Sequence, residues 1–222
     1  MRHHDLETIR GRYQRQWLEH GPSPKALGWC KGRQFVRFAV ALEGLGGPEL
    51  KRVLDVGCGF GDLFGFLRAR KWRGRYHGLD IVPEFIAEAR RRYASPRAKF
   101  DCLDIAGLSA EEPYTMACAL GVFNHKLEQD NMEFIAQVMA KMWQLTTGVI
   151  VLDFLSSAAD IQRKDHFYSD PLGIYRLARR FSRRISINHA YMPFEFQVKI
   201  WHDDAFTKEV PVFSPYLPLV TR

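Results

Sequence analysis

Glycine recurs at every second position in Gly57-Cys58-Gly59-Phe60-Gly61, directly after the short run Val53-Leu54-Asp55-Val56. A loop of this kind, leaving a buried strand and opening a helix, brings bare backbone against a ligand that side chains would hold away. The next apolar stretch, Tyr76-His77-Gly78-Leu79, also ends in a carboxylate, Asp80. An acid closing the second strand is suited to hydrogen-bond the hydroxyls of a ribose. Loop and acid together point to a nucleoside cofactor.

The glycine spacing narrows the choice. A dinucleotide fingerprint, G-x-G-x-x-G, would place its third glycine at position 62, where the chain has Asp62, an unfavourable neighbour for a pyrophosphate. The string Asp55-Val56-Gly57-Cys58-Gly59-Phe60-Gly61-Asp62-Leu63 instead resembles the first motif of class I S-adenosylmethionine-dependent methyltransferases, whose cofactor has no phosphate. The resemblance covers roughly residues 50–202. It implies an α/β fold: a Rossmann-like, mostly parallel seven-stranded sheet with helices on both faces, closed by a C-terminal antiparallel hairpin. It also implies site roles. Gly57, Cys58, Gly59 and Gly61 would lie beside the methionine moiety, and Asp80, followed by Ile81, would take the ribose hydroxyls. Asp55 would organise the loop or reach the ligand's ammonium. Asp104 would accept the adenine amino group with Leu103 along the ring, and Gly121 would follow the fourth strand beside the cofactor. From a helical cap, Arg37 or Gln34 would answer the cofactor's carboxylate. The residues alone read Asp104 equally well as a turn aspartate capping the next segment.

The elements that must hold these residues alternate along the chain. Leu6, Ile9, Tyr13 and Trp17 recur at helical steps, Gly21-Pro22-Ser23-Pro24 interrupts them, and Phe35, Phe38, Ala39 and Leu42 resume before Gly46-Gly47-Pro48. Residues 1–50 therefore read as an N-terminal helical cap, 51–205 as the cofactor-binding body and 206–222 as a tail. Strands are expected at 52–56, 75–80, 98–102, 114–120 and 147–154, with helices to about Arg70, from Pro83, and over 127–145. A further helix capped by Asp170 and begun by Pro171 turns Ile174, Tyr175, Ala178 and Phe181 inward. Two alternating runs, Ile185, Ile187, His189, Tyr191 and Phe194, Phe196, Val198, Ile200, then form the hairpin about Met192-Pro193, with Glu195 on the opposite face. By this alternation His189 and Tyr191 are expected to be buried.

Composition excludes several classes. At 222 residues, 46% hydrophobic and 26% charged, the chain suits one domain with an extension. No apolar run approaches a membrane span, and the N-terminus lacks the apolar core of a signal peptide, so the expected location is cytoplasmic. Cys30, Cys58, Cys102 and Cys118 lack C-x-x-C spacing, and the last three lie in apolar runs as small buried residues, so no metal is expected. The net charge of +7 gathers in Arg68–Arg75, Arg90–Arg92 and Arg179–Arg184, the first two on a helix end or outer face where cations are favourable in themselves.

Beyond the strand ends, His125 is the first candidate for a general base, since imidazole titrates near neutral pH; Asn124-His125 equally suits a helix start. His166, Tyr168, His189, Tyr191 and Glu195 follow, and Tyr13, Trp29, Lys31, Gln34 and Arg37 populate the cap. After the fourth strand stands Gly121-Val122-Phe123-Asn124, without the [N/D]-P-P-[Y/F] motif of enzymes that methylate base amines. The expected activity is methyl transfer to oxygen or nitrogen of a small molecule. RNA methylation through the basic surface, a nicotinamide dehydrogenase and a non-catalytic S-adenosylmethionine-binding module are the alternatives. Neither a membrane partner nor an oligomeric state is indicated.

Overall fold

In the computed structural model, residues 1–28, 33–46, 50–204, 206, 209, 211–213 and 216–220 are described; Trp29, Cys30, Lys31, Gly47 and Pro48 lie outside them. Two helices, α1 (His3–His20) and α2 (Arg33–Leu42), precede an alternation of strand and helix: β1 (Arg52–Val56), α3 (Asp62–Ala69), β2 (Arg75–Asp80), α4 (Pro83–Arg92), β3 (Ala98–Cys102), β4 (Tyr114–Ala119), α5 (Asn131–Leu145), β5 (Thr146–Leu155) and α6 (Pro171–Ala178). The hairpin β6 (Ile185–Met192) and β7 (Glu195–Trp201) follows. The strands form one sheet in the order β3-β2-β1-β4-β5-β7-β6. Pairing is parallel from β3 to β5, while β7 runs antiparallel between β5 and β6. Among the described residues no helix is long and apolar enough to cross a membrane.

Apolar side chains alternate between two cores, as the two-residue period of a strand covered on both faces requires. Leu54 faces Ile135, Met139 and Met142 of α5 and Ile174 of α6, whereas Val53 faces Leu63 and Phe64 of α3 and Ile86 of α4. Helix starts follow local chemistry. The Asp170 carboxylate accepts the N–H groups of Leu172 and Gly173 at the head of α6, and Asp130 caps α5. That cap delays α5 to Asn131, later than the apolar pattern from Leu127 suggests.

The hairpin departs from simple alternation. Strand β7 is buried on both faces: Phe196, Val198 and Ile200 join one core, while Glu195, Gln197 and Lys199 are buried on the other side. Helix α2 covers that polar side. Arg37 binds Glu195, the Arg37 carbonyl accepts from Gln197 at 3.5 Å, and the Glu43 carbonyl accepts from Lys199 Nζ at 2.5 Å. The inward face of α2 is accordingly Gln34, Arg37, Phe38 and Ala41, with Phe35 and Ala39 exposed. Strand β6, at the sheet edge, leaves Ile187 and His189 exposed, contrary to the burial expected for His189, and Tyr175 is exposed on α6. Cys58 and Cys118 are buried, but Cys102, the last residue of β3, is exposed.

Candidate functional site

A cavity of about 700 Å³ opens over the carboxyl ends of the parallel strands, within the roughly 300–1,000 Å³ of small-ligand sites. Its floor comes from loops immediately after the strands, where an open parallel sheet leaves its crevice. Asp55, Gly57, Cys58, Gly59, Asp80, Ile81, Leu103, Asp104 and Gly121 all line it. Gly57 has φ +74°, and a Cβ there would fall 2.7 Å from Val122 Cγ2, so both conformation and space call for glycine. Asp80 ties this loop to the next: Oδ2 accepts the Gly59 N–H at 2.9 Å and Oδ1 accepts the Val82 N–H at 3.0 Å. Each oxygen keeps a lone pair for a ligand hydroxyl. Burial pushes the Asp80 carboxyl up to about 6, against the pull of those amides. Asp55 accepts from Tyr76 Oη at 2.5 Å, and burial lifts its carboxyl to about 7.

Gly61 is the exception in the floor. It has φ +75° and leads into α3, and its missing Cβ makes room for Phe100 rather than a ligand. It does not line the cavity with Gly57, Cys58 and Gly59, although the sequence groups it with them. Asp104 lines the cavity and is also the turn cap that the residues alone allow, accepting the Ala106 N–H at 2.9 Å. The Met1 α-amino group lies 3.3 Å from its other oxygen.

The roof is α1, sewn to the strand ends by side chains far away in sequence. Asp5 accepts the N–H groups of Glu128 and Gln129, and Arg10 Nε donates to the Ile81 carbonyl at 3.0 Å. Tyr13 packs edge-on to Phe85, which meets Phe60 of the glycine loop. Ile9, Arg12, Tyr13, Gln16 and His20 line the cavity from one helix face. This stripe of polar residues at steps of three and four is the signal by which sequence reading could have found Arg12 and Gln16. Gln16 Oε1 and Asn124 Oδ1, both on residues that line the cavity, are buried without a protein hydrogen-bond partner, as acceptors left for an N–H- or O–H-bearing ligand would be.

His125 sits where expected, beyond β4 and on the cavity, but both ring nitrogens are engaged. Tyr13 Oη lies 2.8 Å from Nε2 and Arg12 Nη1 lies 3.4 Å from Nδ1. Burial, with Arg12 and His166 adding repulsion, drives the imidazole down to about 4. That makes it a weak proton acceptor, against the general-base expectation. Burial and the nearby Asp80 push the Tyr13 hydroxyl up to about 12. His166 and Tyr168 also line the cavity, whereas His189, Tyr191 and Glu195 do not.

Arg37 reaches the cavity edge with its charge already committed. Its guanidinium grips Glu195 through two N–H groups and lies 3.4 Å from Asp153. One cation between two buried carboxylates leaves a surplus of negative charge, and burial drives the Asp153 carboxyl upward. Arg37 thus closes the α2–sheet junction instead of awaiting the cofactor's carboxylate. Gln34 lines the cavity and donates to Asp62 at 3.3 Å.

Comparison with known proteins agrees with this geometry. Residues 53–145 match the family described as "Methyltransferase domain". The chain is 31% identical over 152 residues to Rv1506c of Mycobacterium tuberculosis, a protein named provisionally as a methyltransferase, covering 66% of this chain and 90% of that one. Its fold is similar to magnesium protoporphyrin IX methyltransferase from Synechocystis with S-adenosylhomocysteine bound, at TM-score 0.63 and 16% identity over 89% of this chain and 99% of the other. It is likewise similar to the N-methyltransferase NodS from Bradyrhizobium japonicum, at TM-score 0.61 and 16% identity over 86% and 97%. Since the mycobacterial protein is matched along nearly its whole length, and the matched family segment begins on the strand that launches the glycine loop, this chain belongs to the class I methyltransferases that use S-adenosylmethionine.

Proposed function

We propose that the protein methylates oxygen or nitrogen of a small molecule held in the roofed cavity. The observation that supports this reading is the cover over the strand ends: α1, tied to the Ile81 carbonyl and to the amides of Glu128 and Gln129, lies over a cavity of about 700 Å³, a size that suits a cofactor and a small acceptor. The named acceptor of one structural relative, magnesium protoporphyrin IX, is also a small molecule. Basic side chains of the three clusters are partly spent at home, with Arg91 and Arg92 on Glu88 and Arg183 on Asp204.

In this reading residues 1–50 form the cap, 51–205 the cofactor-binding body and 206–222 a tail. Gly57, Cys58 and Gly59 give backbone to the methionine end, and Asp80 takes the ribose hydroxyls with Ile81 beside it. Leu103 and Asp104 border the adenine, and Gly121 leaves room at the centre. With Arg37 committed, Lys25 is the cation assigned to the cofactor's carboxylate. It lines the cavity on a turn whose neighbour Leu27 lies over Gly59.

S-adenosylmethionine supplies an electrophilic methyl group on a sulfonium. The chain's part is to align the acceptor behind that methyl and exclude water, and alignment alone can supply roughly 7–11 kcal/mol in well-oriented systems. Tyr13 and His125, locked to each other, shape the wall against which an acceptor is held. The test is incubation with methyl-labelled S-adenosylmethionine and, separately, a small-molecule extract and total RNA, followed by mass spectrometry. Label in a small molecule is expected. Label confined to RNA, or no S-adenosylhomocysteine formed in either pool, overturns the reading.

A further inference from the structure

We propose that the methyl acceptor is an organic anion, a small molecule whose carboxylate or phosphate is received by Arg12 and Arg163 in the roof of the cavity. This rests on the small-molecule reading above and narrows it to a substrate class. The two sides of the cavity carry opposite charge. Asp55, Asp80 and Asp104 occupy the floor, while Arg12 from α1 and Arg163 from the segment after β5 line the roof beside His125, His166 and Tyr168. A cofactor bearing a sulfonium and an ammonium suits the acidic side, and a substrate for the other side must carry complementary charge.

The roof cluster is built as a unit. His125 and His166 pair through their backbones, and Arg163 N–H donates to Tyr168 Oη at 2.9 Å. Arg12 bridges His125 and Asp165, its Nη2 lying 3.3 Å from Asp165 Oδ2, and His166 Nδ1 is 2.9 Å from Asp165 Oδ1. Asp165 is the carboxylate among these groups, and it is exposed and does not line the cavity. Against two guanidiniums it leaves the roof with excess positive charge at pH 7. Buried Arg37 cannot receive a substrate anion in the same way, because Glu195 and Asp153 already surround it. Arginine is also the side chain best shaped for carboxylate or phosphate, offering two parallel N–H groups. Beside the cations stands Ile161, which lines the cavity although 84% exposed, and offers an apolar contact to the body of such a ligand.

Four matched compounds test this on protein saturated with S-adenosylhomocysteine: phenylacetate, phenyl phosphate, phenethylamine and phenethyl alcohol, titrated by calorimetry. At least one of the two anions is expected to bind more tightly than the amine and the alcohol, and to weaken as salt is raised. Preference between the two anions tells carboxylate from phosphate. Arg12→Gln and Arg163→Gln should each weaken the preferred anion roughly tenfold or more, the scale of one hydrogen bond to a charged group, with S-adenosylhomocysteine affinity within twofold of the parent. Equal or tighter binding of the amine, no binding by either anion, or unchanged anion affinity in both variants overturns the proposal. A tenfold loss of S-adenosylhomocysteine affinity in the variants would assign these arginines to the cofactor and also overturn it. Failure of the parent to bind S-adenosylhomocysteine at all would instead refute the methyltransferase site on which the proposal stands.

Discussion

The floor of the cavity is made by residues that immediately follow strands, and it carries carboxylates; the roof is made by α1, Asn124-His125 and the segment from 161 to 168, and it carries guanidiniums and imidazoles. Floor contacts are short and involve backbone, as when Asp80 takes two amide protons. Several roof contacts join side chains more than a hundred positions apart, such as Tyr13 with His125 and Arg12 with Asp165. On the proposed function, most of the cofactor's contacts come from the strand-following loops, and the acceptor meets the roof. Arg37 belongs to neither side and locks α2 onto β7, next to both.

The largest effect is expected at that lock. Arg37→Met strands the Glu195 and Asp153 carboxylates in the interior and should cost about 3–5 kcal/mol of stability in urea unfolding. Adding Glu195→Gln should recover part of the loss; a single variant as stable as the parent would show that the two carboxylates are not held by this cation. Next, Asp80→Ala should weaken S-adenosylhomocysteine binding by about a hundredfold in calorimetry, because ribose and loop lose a charged acceptor together. Unchanged affinity would place the cofactor elsewhere. The two glycines that differ in the structure should differ in consequence. Gly61→Ala strains a left-handed residue against Phe100 and should cost about 1–3 kcal/mol in thermal unfolding. Gly57→Ala, equally left-handed and pressed on Val122, should cost a similar amount of stability and in addition weaken S-adenosylhomocysteine binding, and identical affinities for the two variants would erase the distinction.

A further effect, confined to acid, is in pH dependence. His125 stays neutral in the folded protein down to about 4, whereas unfolded histidine binds a proton near 6.5. Its neutral burial therefore contributes fully above pH 6.5, and that contribution is lost as pH falls from 6.5 towards 4. Its ring-proton resonance should be flat between pH 8 and 5.5, and titration near 6.5 would mean that the roof stands open in solution. His125→Gln should remove the matching part of the acid decline in stability.

The same division decides what the sequence made legible. The glycine loop, Asp80 and the seven-stranded alternation arise from local patterns, in which a strand period gives way to a tight turn, and they could be read directly. The turn cap at Asp104 was legible for the same reason, since a cap is a local device. The engagement of His125 and the commitment of Arg37 could not be read, because each depends on which distant side chain folds back onto it. The burial of Glu195, Gln197 and Lys199 defeated alternation: a polar strand face looks like a solvent face until α2 is known to cover it. Cys102 and His189 went the other way, left exposed at the ends and edges of the sheet, where the periodicity of a strand says nothing about what lies alongside.

The grip of α2 on β7 has a consequence for biosynthesis. Arg37 and Glu195 are separated by 158 positions, so the helix leaves the ribosome long before its partner is made. Until then the middle of the sheet can assemble from neighbours close in sequence, but β5 lacks the strand that covers its outer edge, and Arg37 lacks its acid. Contacts closed over so long a loop form slowly. Completion of this enzyme is therefore timed by the final hairpin, and a nascent chain stalled before it would hold a nearly finished cofactor floor beside an open flank.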